Sequence, residues 1–421
     1  MYKHYRLDNG VRIITDRIPY FRSISIGFWF RAGSAYETPK ENGLSHFIEH
    51  MLFKGTKKRT ARQIAEELDS IGGHINAFTA KEFTCFYCSV VDEHIELALN
   101  LLSDMLLYSK FDPVEINKEK NVILEEIDMY EDSPEDVAHE LLCKAYFDKH
   151  PLAMPILGQP DRLLKYNRTD LLEFKNKYFT TDNLVVAVAG NFQEDELIKL
   201  IDKYLGNWDH RGTVPVEKEL ELNQPRILFA ERELEQFHLS LSFPGIAVDS
   251  PQLYPMLVMN NLIGGGMSSR LFQRIREDRG LAYSIYSYPS TYLTGGMYSI
   301  YAATKPEQCE DVLNIIIEEI ESLKNHGFTN KEFLIAREQL KGSYILSNET
   351  PGSRMNAIGK ARTLLDKVLT PNQILDKINN VRAEEVYEVI QKIFQKGSIC
   401  AALVGCEDKT DTIWNIIKVI R

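Results

Sequence analysis

An α+β fold made of two similarly built halves is what this 421-residue chain predicts, on three observations. Short segments with an apolar period near two alternate with longer ones whose period is near 3.6. The same grammar of strand, helix, glycine break and strand occurs before residue 205 and again after residue 226. Between them, 206–225 lacks periodicity, contains Gly206, Gly212, Pro215 and Pro225, and carries mixed charge around 214–222, so it reads as a linker. The expected division is therefore 1–205, a linker at 206–225 and 226–421, each half a mostly antiparallel sheet covered by helices.

In chain order, strands are expected at 11–15 and 23–31, the second alternating Ile24, Ile26, Phe28 and Phe30. A helix follows at 43–53, then another over 61–71 with Thr60 as its N-cap and Gly72-Gly73 as its end. Strands at 75–79 and 83–91 precede helices through 93–108, 113–130 and 133–147. The run at 183–190 reads as a buried strand, and 194–205 as a helix. The second half repeats this with a strand at 236–243, a helix at 251–263, a break at Gly264-Gly265-Gly266 and a helix carrying Arg276. Strands at 283–289 and 296–304 come next, then helices at 306–325, 330–348, 352–367 and 383–394. A closing strand at 398–405 mirrors 183–190.

The composition, 44% hydrophobic and 26% charged, excludes a disordered chain. With 49 basic against 60 acidic side chains the net charge is −11, which argues against a nucleic-acid binder but leaves room for an acidic cavity that admits basic peptides. Six cysteines are too sparse for a disulfide scaffold. The N-terminus has neither an apolar signal core nor the Arg- and Ser-rich character of a transit peptide, and no 18-residue apolar stretch occurs. The expectation is a soluble protein of a reducing compartment, the cytoplasm, with no membrane partner. Cys85-Phe86-Tyr87-Cys88 has CxxC spacing but lies in an expected strand, where positions three apart face opposite ways, so ordinary thiols are expected.

The chemistry concentrates at His46-Phe47-Ile48-Glu49-His50. On a helix, residues i and i+4 share a face, so both imidazoles can converge on one ion, with Glu49 beside them. Two histidines and a glutamate set among Leu44, Phe47, Ile48, Met51 and Leu52 are costly unless something satisfies them. In the helix at 113–130, a stripe of Ile116, Glu119, Ile123, Glu126 and Tyr130, flanked by Val122 and Ile127, is expected to face inward, with Glu125 solvated. Glu119 and Glu126 on such a stripe either hold a metal or pair with basic residues.

The HxxEH order is the inverted zinc motif. Residues 43–56, Gly-Leu-Ser-His-Phe-Ile-Glu-His-Met-Leu-Phe-Lys-Gly-Thr, closely resemble the pitrilysin-like (M16) metallopeptidases. The length resembles their short branch, near the mitochondrial processing peptidase and its bacterial relatives. The resemblance implies one Zn²⁺ per chain, bound by His46, His50 and a third ligand 76 residues further on, which falls on Glu126. The family's accessory glutamate, seven residues earlier, falls on Glu119. Asn76-Ala77-Phe78 resembles the edge strand on which a peptide adds as an extra strand; from the residues alone it is simply part of a hairpin. Residues 264–272 and 276–283 also match, placing the family's Arg–Tyr pair on Arg276 and Tyr283; read alone, these are a surface arginine and a core tyrosine. Gly264–Gly266 lacks the Gly-Lys-Ser/Thr ending of a phosphate-binding loop.

The resemblance thus implies a zinc endopeptidase that cuts short or unfolded peptides. Glu49 acts as general base and then acid, Arg276 and Tyr283 stabilise the carbonyl, and Glu119 supports the metal. Family members of this size enclose a chamber as dimers. Because both the HxxEH motif and the Arg–Tyr pair are on this chain, a homodimer is expected. The alternative is a non-catalytic peptide-binding or structural subunit of the same fold.

Overall fold

The structure, a computed structural model, describes residues 2–418 apart from 222, 223, 366, 396 and 398. The chain forms two compact units, neither contiguous in sequence. The first comprises 1–127, 154–217 and 346–370; the second comprises 128–153, 218–345 and 371–421.

The first unit holds six strands: β1 (Lys3–Arg6), β2 (Arg12–Arg17), β3 (Ser23–Phe30), β4 (His74–Thr79), β5 (Thr84–Val91) and β6 (Leu184–Gly190), in the order β1-β2-β6-β3-β5-β4. The second holds β7 (Ile227–Glu231), β8 (Phe237–Pro244), β9 (Ala282–Thr291), β10 (Gly296–Thr304) and β11 (Cys400–Gly405), in the order β7-β11-β8-β10-β9. Without β1, the two orders are one pattern. In each sheet one pair is parallel, β2 with β6 and β7 with β11, and the other pairings are antiparallel. The α+β fold of two similar halves is thereby borne out.

Every residue of β6 and of β11 is buried. A strand apolar on both faces requires cover on both sides of its sheet. In the first unit one side packs on α1 (Leu44–Leu52), α2 (Ala61–Asp69) and α3 (Ile95–Tyr108), whose Leu99, Leu102 and Met105 share a core with Ile24, Ile26 and Phe28. The other side is covered by the helix Pro351–Leu364, which packs on β2, β3 and β6. There Trp29 Nε1 donates to Met355 Sδ at 3.3 Å, and a Cβ on Gly359 would lie 2.3 Å from the Trp29 ring, so glycine permits the close approach. In the second unit the helices Leu253–Ile263 and Cys309–His326 line one face. The opposite face takes α5 (Pro134–Phe147), which follows α4 (Pro113–Glu131) and packs on β7, β8 and β11. The unit boundaries thus depart from the expected linker-based division: each half of the sequence lends one helix to the other half's sheet.

Thr60 caps α2 as expected, in a reciprocal capping box with Gln63. The segment carrying Arg276, expected as an α-helix, is a π-helical turn over Phe272–Glu277. The helix expected from 352 to 367 ends at Leu364, and position 366 lies outside the described residues. Position 398, expected to open the closing strand, also lies outside them. On α4 the buried residues are Ile116, Glu119, Ile123 and Ile127, whereas Val122 and Tyr130 are exposed. The inward stripe therefore follows the 3.6-residue period and turns away before Tyr130. The strands β1 and β7 and the helices Arg168–Tyr178, Pro371–Asn379 and Thr410–Ile417 are present without having been expected. Their apolar pattern is short or broken by charge. Cys85 and Cys88 are fully buried thiols that form no disulfide. No described helix is long and apolar enough to cross a membrane.

Candidate metal centre

The motif helix α1 is preceded at its N-cap by Gly43, whose φ of 94° suits glycine and where a Cβ would lie 2.9 Å from the Gly158 backbone. No N-cap side chain closes this end. Instead the buried Glu37 carboxylate accepts the Gly43 and Ser45 N–H groups, each at 2.8 Å, and Asn42 Nδ2 at 3.1 Å. Burial pushes the Glu37 carboxyl up, and those donors pull against it. Leu44, Phe47, Ile48, Met51 and Leu52 fill the core, which fixes the helix rotation and leaves His46, Glu49 and His50 on the remaining face.

Two turns of α4 meet that face. His46 Nε2 lies 3.6 Å and His50 Nε2 3.4 Å from Glu126 Oε2. Tetrahedral zinc with bonds of about 2.1 Å holds its ligand atoms about 3.4 Å apart, so these three atoms fit one ion. Among the described residues this is the one cluster of histidine, cysteine and carboxylate groups able to hold a metal. His50 Nδ1 lies 3.1 Å from Glu119 Oε2, and Lys54 Nζ lies 2.6 Å from Glu119 Oε1. A carboxylate on Nδ1 sets the tautomer that leaves Nε2 free as a ligand. His46 Nδ1 is buried without a hydrogen-bond partner.

Electrostatics follow from this crowding. Burial and the neighbouring His50 pull His46 down to about 4. Burial also opposes charge on His50, but Glu119 and Glu126 outweigh it and push His50 up to about 9. Burial pushes Glu119 up, yet His50 and Lys54 hold it below the usual range. His50 is the main reason Glu126 is held low. Glu49 is pushed up by burial, against a hydrogen bond from Thr79 Oγ1 to its Oε2 at 2.5 Å. A carboxylate so placed beside a three-ligand centre is equipped to take and return a proton.

The structure thus brings together His46, Glu49, His50, Glu119 and Glu126, all in the first unit. Asn76, Ala77 and Phe78 lie on β4, an edge strand of the same unit's sheet. Asn76 Oδ1 accepts the Ala77 N–H at 2.8 Å, and Phe78 packs on Trp29 at a centroid distance of 5.5 Å. Arg276 and Tyr283 belong to the second unit, where the guanidinium lies 4.6 Å from the tyrosine ring centre. Tyr283 is 74% exposed rather than a core residue. Sequence reasoning missed Glu37, Lys54 and Thr79. Lys54 sits four residues after His50, a helical spacing that could have flagged it; Glu37 and Thr79 carry no local signal.

Fold and site together present a group able to hold a metal ion, with His46 and His50 on α1 and Glu126 on α4. Residues 12–160 match the family described as insulinase (peptidase family M16), and 165–340 match the peptidase M16 inactive domain. The uncharacterized zinc protease YmxG of Bacillus subtilis is 45% identical over 394 residues, covering 94% of this chain and 96% of that one. An uncharacterized zinc protease of Streptomyces coelicolor is 36% identical over 413 residues, covering 96% and 89%. The chain belongs to the M16 peptidase family. Its fold is shared with a protease from Helicobacter pylori (TM-score 0.88, 17% identity, 96% of this chain and 99% of that one). It is shared as well with a peptidase M16 inactive domain from Pseudomonas fluorescens (TM-score 0.90, 18% identity, 97% and 98%).

Proposed function

We propose that this protein is a zinc endopeptidase of the short M16 branch, cutting short or unfolded peptides held as an extended strand. The observation that carries the reading is the convergence of His46 Nε2, His50 Nε2 and Glu126 Oε2, with the Glu49 carboxylate on the same helix face and outside the ligand set. Three ligands without cysteine suit an open catalytic position rather than a closed structural site. Zinc bound there polarises a peptide carbonyl and acidifies a water.

Glu49 takes the proton of the attacking water and hands it to the departing amine. Glu119 fixes His50 through Nδ1, and Lys54 holds Glu119 in turn. The free edge of β4 offers main-chain groups to an incoming strand at Asn76–Phe78. That strand must displace the Asn76 side chain from the Ala77 N–H. Arg276 and Tyr283 supply donors for the carbonyl oxygen as its charge develops. The working form is a homodimer enclosing a chamber, in the cytoplasm; six cysteines with no disulfide among them suit a reducing compartment.

A non-catalytic peptide-binding subunit is the second reading, favoured by the description "inactive domain" for the match at 165–340. The candidate ligands lie outside that stretch: His46, His50 and Glu126 all fall within 12–160, the match described as insulinase. Mass spectrometry of products from a mixed peptide pool, with and without a zinc chelator, decides between the two. Glu49→Gln is expected to keep zinc and lose cleavage; wild-type cleavage by that variant would remove Glu49 from the chemistry. Light scattering tests the dimer, which an active monomer would exclude.

A further inference from the structure

Glu49 is held by a residue from outside its helix. Thr79, the last residue of β4, donates its hydroxyl to Glu49 Oε2 at 2.5 Å. Thr79 pairs in register with Thr84 of β5, and the Ala80 N–H closes the hairpin on Phe83 O at 2.8 Å. The Thr84 hydroxyl is itself fixed on Ala32 O at 2.7 Å. Thr79 lies on the strand face that also presents Ala77, whose methyl is in the same core as Phe47 and Ile48 of α1. The donor therefore stands on a pinned hairpin, whereas the glutamate it holds has three rotatable bonds.

We infer that Thr79 is the positioning residue for Glu49: its hydroxyl ties up Oε2, leaves Oε1 to take the proton, and joins the base to the edge strand that receives the peptide. The inference rests on the peptidase reading above. The chemistry behind it is simple. A carboxylate that swings among rotamers spends little time aimed at one proton, and misplacement by an ångström is costly to rate. A purely structural bond would instead show in stability or metal retention and spare turnover.

The test uses the zinc-loaded full chain, a fluorogenic peptide that it cleaves, and Thr79→Val and Thr79→Ser. Metal analysis, melting temperature and binding of the same peptide to zinc-depleted protein by anisotropy accompany the kinetics. For Thr79→Val, kcat should fall about 10- to 100-fold while KM, zinc content and metal-free peptide affinity stay within about twofold; Thr79→Ser should recover to within about threefold of wild type. Unchanged kcat in Thr79→Val, loss of zinc, a rise in KM alone, or no recovery by serine each overturns the inference. If the valine variant does not fold, Thr79→Ala is read by the same criteria. A wild-type protein without chelator-sensitive cleavage overturns the peptidase reading and this inference with it. Cleavage by wild type matched by Thr79→Val overturns the role of Thr79 alone.

Discussion

Replacing Glu37 by alanine should loosen the motif helix from its N-terminal end. Glu37 is 3% exposed and serves the Gly43 and Ser45 N–H groups, both at 2.8 Å. Its removal strands two main-chain donors that no N-cap side chain can serve. A buried unsatisfied donor costs about 1–3 kcal/mol, so the pair gives a loss of about 4 kcal/mol. At about 2–4 °C per kcal/mol for a domain of this size, the melting temperature should drop by roughly 8–16 °C. His46 is the third residue of α1, within the turn that frays, so zinc affinity should fall as well, by about tenfold or more. Calorimetry of the metal-free protein and a competition titration with a chromogenic chelator read the two effects. Glu37→Gln keeps one acceptor and should fall between. A melting temperature within about 2 °C of wild type, with unchanged zinc affinity, would refute the claim that Glu37 holds this helix end.

Three further outcomes are expected. In the metal-free protein His50 is raised from 6.5 to about 9, so its contribution to stability is full below pH 6.5 and is lost as pH rises through 9. Zinc must displace that proton, so its affinity should climb with pH up to about 9, as a pH series of zinc titrations would show. Burial lowers Lys175 from 10.5 to about 8, so its charged form strains the fold below pH 8 and relief comes as pH rises from there. The side chain is partly exposed, and discounted for solvent the penalty is about 1 kcal/mol, so Lys175→Met should raise the melting temperature at pH 7 by about 2–4 °C. Gly359→Ala puts a methyl against the Trp29 ring and should cost about 2–3 kcal/mol, seen as a lower urea midpoint.

The cluster of His46, His50 and Glu126 was legible in part because two rules acted locally, while the choice of Glu126 over a pairing role came from the family resemblance. Helical spacing aligned His46 with His50, and two glutamates broke the apolar stripe of α4. That stripe was misread at its end: heptad spacing carried Tyr130 inward, whereas the true period turns it out at 44% exposure. Strand pattern and glycine breaks located β3, β5, β6 and the doubling of the sheets. The mixed sequence of β1, Lys-His-Tyr-Arg, has no alternation, and it forms only because β2 offers an edge. Glu37 and Thr79 were invisible for a related reason. Each acts across distance in the chain, on residues 6–8 and 30 positions away, where local pattern says nothing.

The exchange of helices between the two sheets governs how this chain can come into being. Trp29 leaves the ribosome early, and its thioether partner Met355 follows 326 residues later. During that interval the nascent first sheet has one greasy face with nothing to cover it. Contacts of such sequence separation make folding slow, and uncovered sheets aggregate. A fragment stopping at the linker would keep His46, His50 and Glu126 yet lack the helix over β2, β3 and β6, so neither half should be obtainable as a well-behaved separate product. Synthesis must run nearly to completion before the site in the first third of the chain rests on a finished scaffold.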